Sequence, residues 1–343
     1  MRRLEVLVPY ACLLLGLGVA GCGDTLPVQS FVEKLRVLGV RAEPPEIAPG
    51  ETTTLDALVV QPPTARATAP KAVSYLWVSC SVPPGVGQLA PCGVNDLTAV
   101  PPSCALDPGA PICVLGDQAT ATYTASATTV GSDGTGQRLI TMVVSETDGG
   151  AVGCLLDTAQ NKGIPTDPDH CVLTLKRLVV SSPTVTPASN RNRNPTLRTL
   201  DLHLVDDQDM LGAARSLLDG AARYTVAPDK KKPTWRLTTE RNEDASEQKS
   251  DGRYEELSVA WYISAGKLAG ARAVFEDTSC QGDGCNRMPP PLQVDADWTA
   301  PTSAERAEDV PTGGALDGLT EFWAVVRDDR GGIGWLYGTA RPE

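Results

Sequence analysis

Apolar residues along this chain come in short runs with a period of two, and glycine and proline punctuate the gaps. In TTTLDALVV, Leu55, Ala57 and Val59 alternate with polar or smaller neighbours. The opening LRVLGVRAEPPEIAPGE runs a strand into a proline-rich bend, and SYLWVSC, ATYTASATTV, GQRLITMVVSE and HCVLTLKRLVVSS continue in the same style. Alternation of this kind, rich in β-branched residues, is what a strand buried on one face requires. The later part of the chain offers LRTLDLHLV, RYTVAP, TWRLTTE, ELSVAWYISAG, LTEFWAVVRD and GIGWLYGTARP. Helical spacing occurs in one internal segment, MLGAARSLLDGAARY, where residues 210–224 predict one short helix. The 32 glycines and 28 prolines fall mostly between the apolar runs, as turn residues should. The pattern predicts an all-β fold of many short strands.

It also repeats. VSYLWVS, from Val73, matches LSVAWYIS, from Leu257, and sets Trp77 against Trp261 at an offset of 184. VVSETDGG, from Val143, matches VVRDDRGG, from Val325, at an offset of 182. LRVLGV, from Leu35, echoes LRTLDL, from Leu197, at an offset of 162, so the second copy carries about twenty extra residues after its first strand. Three matches in one order predict two copies of a single unit, and a tryptophan on an early central strand of each predicts β-sandwiches. SSPTVTPASNRNRNP, from Ser181, is the natural linker; its prolines favour extended backbone, which predicts sandwiches set end to end. The expected boundaries are a sandwich over 31–182, a linker over 183–195, and a second sandwich, with the predicted helix, over 196–343. Within the VVxxxxGG repeat the glycines recur but Arg327, Asp328, Asp329 and Arg330 do not, so the shared part predicts a hairpin and the charges belong to the second copy alone. Residues 240–251, charged and poor in strand formers, read as a solvated loop.

The order of the APGE bend, the TLDALV strand, the Trp-bearing strand and the closing VVxxxxGG resembles bacterial immunoglobulin-like domains of the PKD and invasin types. The resemblance implies two tandem immunoglobulin-like sandwiches. The inter-sheet disulfide of antibody domains has no counterpart, because Cys80 lies three residues after Trp77 and faces the other side of the strand. RVLGVRAEPPE, from Arg36, and NRNP, from Asn192, are similar to segments of large, mostly uncharacterised myxobacterial lipoproteins, which implies an envelope location and little about activity.

The N-terminus carries a different pattern. MRRLEVLVPYACLLLGLGVAGC places Arg2 and Arg3 ahead of an apolar run, Val6 to Ala20, that ends in small residues and a cysteine. That reads as an export signal over 1–21, shorter than the roughly 20 apolar residues of a spanning helix. Val19-Ala20-Gly21-Cys22 resembles the bacterial lipobox, which implies cleavage before Cys22, a diacylglyceryl thioether on its sulfur and a tether over 22–30. Gly23 rather than an aspartate follows the cysteine, which in that resemblance implies the outer membrane. Eight further cysteines outside the signal, Cys80, Cys92, Cys104, Cys113, Cys154, Cys171, Cys280 and Cys285, predict four disulfides in an oxidising compartment. Spacing favours Cys280 with Cys285, Cys154 with Cys171 and adjacent pairing among the first four, and leaves the connectivity open.

A formal charge of −12 argues against nucleic acid and anionic headgroups as partners, leaving the lipid on Cys22 as the membrane contact. No GxSxG, HExxH or phosphate-binding GxxxxGK loop occurs, CxxC is absent, and His170 and His203 both read as surface residues, so no catalytic residue, metal or cofactor is predicted. Asp206, Asp207 and Asp209, in DDQD, are a calcium candidate without the glycine and distal glutamate of an EF-hand. PDKKKP, from Pro228, is a basic tip on an acidic chain. Trp77 and Trp261 are assigned to cores, which leaves Trp235, Trp298, Trp323 and Trp335 as the pool for a sugar-stacking face, with Trp323 in phase with Val325 and so expected inside. The chain reads as a non-catalytic envelope lipoprotein, a scaffold or module binding another envelope protein. The alternative is binding of surface polysaccharide in an adhesin-like role, and a third reading is a hydrolase using paired carboxylates.

Overall fold

The computed structural model describes residues 29–61, 72–81, 100–107, 110–161, 163–225, 234–276, 287–302 and 319–343. Its strands form two sandwiches. The first contains β1 (Arg36–Glu43), β2 (Glu46–Ile47), β3 (Thr52–Val60), β4 (Ser74–Ser81), β5 (Ile112–Gly116), β6 (Ala121–Thr124), β7 (Thr135–Ser145) and β8 (Cys171–Ser181), with helix α1 (Gly150–Gln160) between the last two strands. One sheet has the order β1-β3-β6 and the other β2-β8-β7-β4-β5. Pro44 and Pro45, after a cis Glu43–Pro44 peptide, break β1 away from its sheet and let Glu46 and Ile47 pair in parallel with Val179 and Val180 of the other.

The second sandwich contains β9 (Leu197–Leu204), β10 (Arg215–Ser216), β11 (Ala222–Tyr224), β12 (Thr234–Arg241), β13 (Leu257–Ile263), β14 (Lys267–Ala269), β15 (Arg272–Val274), β16 (Gln293–Thr299), β17 (Thr320–Asp328) and β18 (Ile333–Pro342). Its sheets run β10-β9-β12-β16-β14 and β11-β18-β17-β13-β15. The five-stranded sheet β11-β18-β17-β13-β15 matches β2-β8-β7-β4-β5 member for member, down to a short parallel strand on one edge. The fold is all-β and immunoglobulin-like, with one short helix. Trp77 and Trp261 occupy equivalent places between the sheets, both fully buried, and Trp77 Nε1 donates to the Gln118 carbonyl at 2.9 Å.

The helix is not where the apolar spacing put it. Residues 210–224 make turns and the short strands β10 and β11, because Leu217 plugs the gap between β9 and β18: its N–H donates to Leu200 O and its carbonyl accepts from Thr339 N, both at 2.9 Å. The helix lies in the first sandwich and starts at Gly150, the second glycine of VVSETDGG, with Gly149 at its N-cap. Only VVRDDRGG is therefore a hairpin. Ala151, Cys154, Leu155, Thr158 and Ala159 fall on one helical face and bury against the outer side of β4 and β7. Among the described residues no helix is long and apolar enough to cross a membrane.

Nor do the sandwiches sit end to end. Leu38, Leu58 and Val60 on the outer face of β1 and β3 pack, with Val32, against Ala260, Tyr262, Trp323, Val325, Ile333 and Trp335 on the outer face of β13, β17 and β18. The sheets approach closely: a Cβ on Gly39, at the bulge in β1, would lie 2.7 Å from Ile333 Cδ1. The linker prolines do not hold the sandwiches apart because the residues after them are fastened to both sides of this contact.

Candidate functional site: the ionic junction around Arg330

The densest polar chemistry lies where the linker passes between the sandwiches. Asp328, closing β17, accepts at Oδ1 from the N–H groups of Arg330 (2.8 Å) and Gly332 (2.7 Å), which shapes the hairpin turn. Gly331 has φ 99°, and a Cβ on Gly332 would meet Arg193 O at 2.9 Å, so one glycine serves the turn and the other the passing linker. The turn aims Arg330 across the junction. Its guanidinium bonds Glu46 of the first sandwich at 2.9 Å, Glu255 at 3.0 Å, Glu247 at 3.5 Å and the linker carbonyl of Asn190 at 3.0 Å. Planar, five-donor geometry suits arginine to such a hub.

The linker knits into the same network. Asn192 donates through its N–H to Glu46 (2.9 Å) and through Nδ2 to Asp328 (3.2 Å). Asn194 donates to Ala42 O at 2.7 Å and accepts from Ile333 N–H at 2.9 Å, touching both sandwiches with one side chain. Arg191 pairs with Glu51 at 2.5 Å, Arg193 with Glu247, and Lys249 with Asp329. From the second sandwich Arg327 donates to Leu38 O at 2.6 Å, and from the first Lys176 donates to Gly331 O.

Crowding and burial set the charges. Burial is the main cause that lifts Glu255 to about 7, with repulsion from Asp328 adding to it and Arg330 opposing. Burial also raises Asp328, against the stabilising N–H of Gly332, and lowers Lys176 to about 8, against the attraction of Asp328. Burial works against the charge on Arg330, but Glu255 and Glu46 outweigh it and hold the guanidinium above its ordinary value. Charges withdrawn from water in this way depend on one another, and removing one strands its partners.

An open cleft of about 660 Å³ runs beside the junction, with Glu46 and Arg330 in its wall and Ser181, Thr186, Gln248 and Lys249 around it. Glu255, the carboxyl that burial lifts to about 7, is not on that wall; its side chain is fully shielded behind Arg330. Glu46 is already engaged by Ser181 Oγ, Asn192 N–H and Arg330. Two carboxylates facing each other across room for a substrate, as glycoside hydrolysis needs, are not formed here by the described residues.

The residues singled out from sequence are distributed as follows. Cys104 and Cys113 form one disulfide and Cys154 and Cys171 another, and Cys80 is disulfide-bonded too. Cys22, Cys92, Cys280, Cys285 and the PDKKKP tip lie outside the described residues. Asp206 spends Oδ1 on the N–H groups of Gln208 and Met210, Asp207 sits in the same turn, and Asp209 pairs with Arg236 at 3.0 Å. Among the described residues no group of three or more His, Cys, Asp or Glu is placed to hold a metal ion. His203 contacts Gly212 O and Thr238 Oγ1, and His170 contacts Asp167. Trp235, Trp298 and Trp323 are buried, and Trp335 lies under the Arg41 guanidinium, 4.5 Å from its ring centre.

Residues 240–251 are not a solvated loop. Arg241 is 2% exposed and donates to Pro290 O and, at 3.0 Å, to Pro291 O, while Glu247 and Lys249 serve the junction. Sequence reasoning also passed over Glu46, Lys176 and Glu255. Lys176 had a legible signal: it is in phase with Leu178 and Val180 on β8, so the alternation turns it inward.

No family model and no curated protein matches the chain. Among solved structures, it is similar to the fibronectin(III)-like modules of Clostridium thermocellum CbhA, at 10% identity over 89% of this chain and 93% of that one, with a TM-score of 0.19. The adhesin InvE of Yersinia pseudotuberculosis matches at 12% identity over 90% of this chain and 60% of that one, TM-score 0.19. Trypsin-activated alpha-2-macroglobulin from Escherichia coli matches at 11% identity over 90% of this chain and 18% of that one, TM-score 0.23. At such scores the likenesses carry no argument about role, and the immunoglobulin-like assignment rests on the strand order of the chain itself.

Proposed function

We propose that this chain is an exported, lipid-anchored, non-catalytic protein of the cell envelope, whose two sandwiches act as one rigid scaffold or protein-binding module. The observation that carries the reading is the junction: buried charge and apolar surface are spent on fixing one sandwich against the other. A fixed pair presents edges and loops of both sandwiches as one surface, suited to a partner that spans them. Disulfides support export, since they persist in oxidising compartments. The lipobox-like tetrapeptide ending in Cys22 supports the anchor, and Gly23 supports the outer membrane. The polysaccharide alternative loses its tryptophan strip, because those side chains are spent in cores and in the junction. Crosslinking and pull-down of the acylated protein from its own envelope should recover one specific protein, and recovery should fall for Arg330→Ala. Recovery of no specific protein sinks the scaffold reading.

A further inference from the structure

The segment before β1 belongs with the wrong sandwich. Phe31 bridges in parallel with Ile263 of β13; Val32 N–H donates to Ile263 O and Ile263 N–H to Ser30 O, both at 2.9 Å. Val32 is buried beside Tyr262 and Trp323. Arg36 donates to Gln29 O at 2.6 Å and lies 5.5 Å from the centre of the Tyr262 ring, while Arg272 reaches Gln29 Oε1 at 3.4 Å. The chain that leads into the first sandwich is thus clamped to one end of the second.

That end is opposite the ionic junction. In the antiparallel pair of β13 and β17, Ile263 faces Phe322 and Leu257 faces Asp328. Six residue steps at ~3.4 Å put the two ends about 20 Å apart. Cys22 stands seven residues before Gln29. Extended backbone spans at most ~3.6 Å per residue, so a lipid on Cys22 holds Gln29 within about 25 Å of the bilayer.

Resting on the lipid-anchor reading above, we infer that the rim of the second sandwich around Ile263 is the membrane-facing surface, and that the Arg330 turn and its cleft point away from the bilayer toward a partner. Local charge fits this orientation. The chain as a whole carries −12 and is repelled by anionic headgroups, but its exit point is flanked by the guanidinium groups of Arg36 and Arg272.

The test uses full-length acylated protein in phosphatidylethanolamine and phosphatidylglycerol vesicles that carry an acceptor dye on their headgroups. A donor fluorophore is placed as an unnatural amino acid either at Lys267, just beyond Ile263, or at Asp251, whose neighbour Lys249 pairs with Asp329 at the junction. Energy transfer from position 267 should exceed that from 251 about twofold or more across the ~20 Å offset. Equal or reversed transfer, on protein whose Cys22 peptide carries the diacylglyceryl mass, overturns the orientation and leaves the anchor standing. A Cys22 peptide of unmodified mass overturns both. Inserting a long Gly/Ser segment between Pro27 and Val28 should abolish the difference, and a difference that survives shows that tether reach does not set the orientation.

Discussion

The matching sheets β2-β8-β7-β4-β5 and β11-β18-β17-β13-β15 share strand order and are both apolar on their outer faces, yet they cover those faces in opposite ways. In the first, Leu76, Val78, Leu139 and Val143 lie under α1, which Cys154–Cys171 pins to the start of β8. In the second, Tyr262, Trp323, Val325 and Ile333 lie under the neighbouring sandwich. The cause is the connection that follows the shared valines. Residues 146–170 join β7 to β8 and are long enough to carry a lid, whereas 329–332 make a tight hairpin that can carry none. A sheet with both faces apolar and no lid of its own must find one elsewhere. The edges show the reverse division. Leu217, from the second sandwich's own insertion, closes its gap between β9 and β18, while the gap between β1 and β8 is bordered by Arg327 and the Gly331-Gly332 turn of the other sandwich, around a cavity of about 300 Å³. Each sandwich is incomplete at a different place, and the junction completes both.

The strongest attempt to break this comparison is to separate the halves. A fragment of residues 196–343 exposes Trp323, Tyr262 and Val325, and should form concentration-dependent oligomers in sedimentation; a stable monomer would show that its outer face needs no cover. In the whole chain, Trp323→Ala should cost about 3–5 kcal/mol in denaturant unfolding, as truncating a buried tryptophan does. The aligned residue in the first copy is Thr141, so the tryptophan is specific to the face that takes a second sandwich. Cys154→Ser should cost about 3 kcal/mol, the value expected for opening a loop of this length, and should lower the unfolding transition of the first sandwich while Trp fluorescence of the second is retained. Gly39→Val should cost about 1–3 kcal/mol through overpacking against Ile333, with no change inside either core.

Much of this was legible in the sequence. Alternation located the strands, and the Trp77 and Trp261 repeat located both cores, because period two and a buried tryptophan at the same place in each sandwich are local signals. The side-by-side packing was written less plainly. FWAVV in β17 is a continuous apolar run, not an alternating one, and continuity signals burial on both faces. The helix was misplaced because Leu211, Leu217 and Leu218 are spaced along the sequence as on a helix, yet only Leu217 is buried, as a plug between strands, whereas the true helix hid behind a Gly-Gly pair read as a turn. The junction was least legible. Arg330, Glu46, Glu247 and Glu255 are scattered over the chain, and only the fold brings them within bonding distance.

The gentlest test leaves every contact in place and changes only protonation. Glu255 has a folded pKa of about 7 against an ordinary 4.5, so between those values the folded chain holds a proton that the unfolded chain has lost. Stability must therefore fall as pH rises from about 4.5 to about 7. Lys176 acts in the other window: with a folded pKa of about 8 against an ordinary 10.5, it gives up its proton first in the folded state, and stability rises again from about 8 to about 10.5. The two groups together place a minimum between pH 7 and 8, shallower than either shift alone implies because neighbouring carboxylates share the titration. Melting temperatures across pH should trace that trough. Glu255→Gln should flatten its acid side and Lys176→Met its alkaline side, and since α1 covers its sheet with no titrating group of this kind, the trough should follow the junction and not the first sandwich's own lid. A trough that persists in the double variant would show that Glu255 and Lys176 are not what links pH to the stability of the pair.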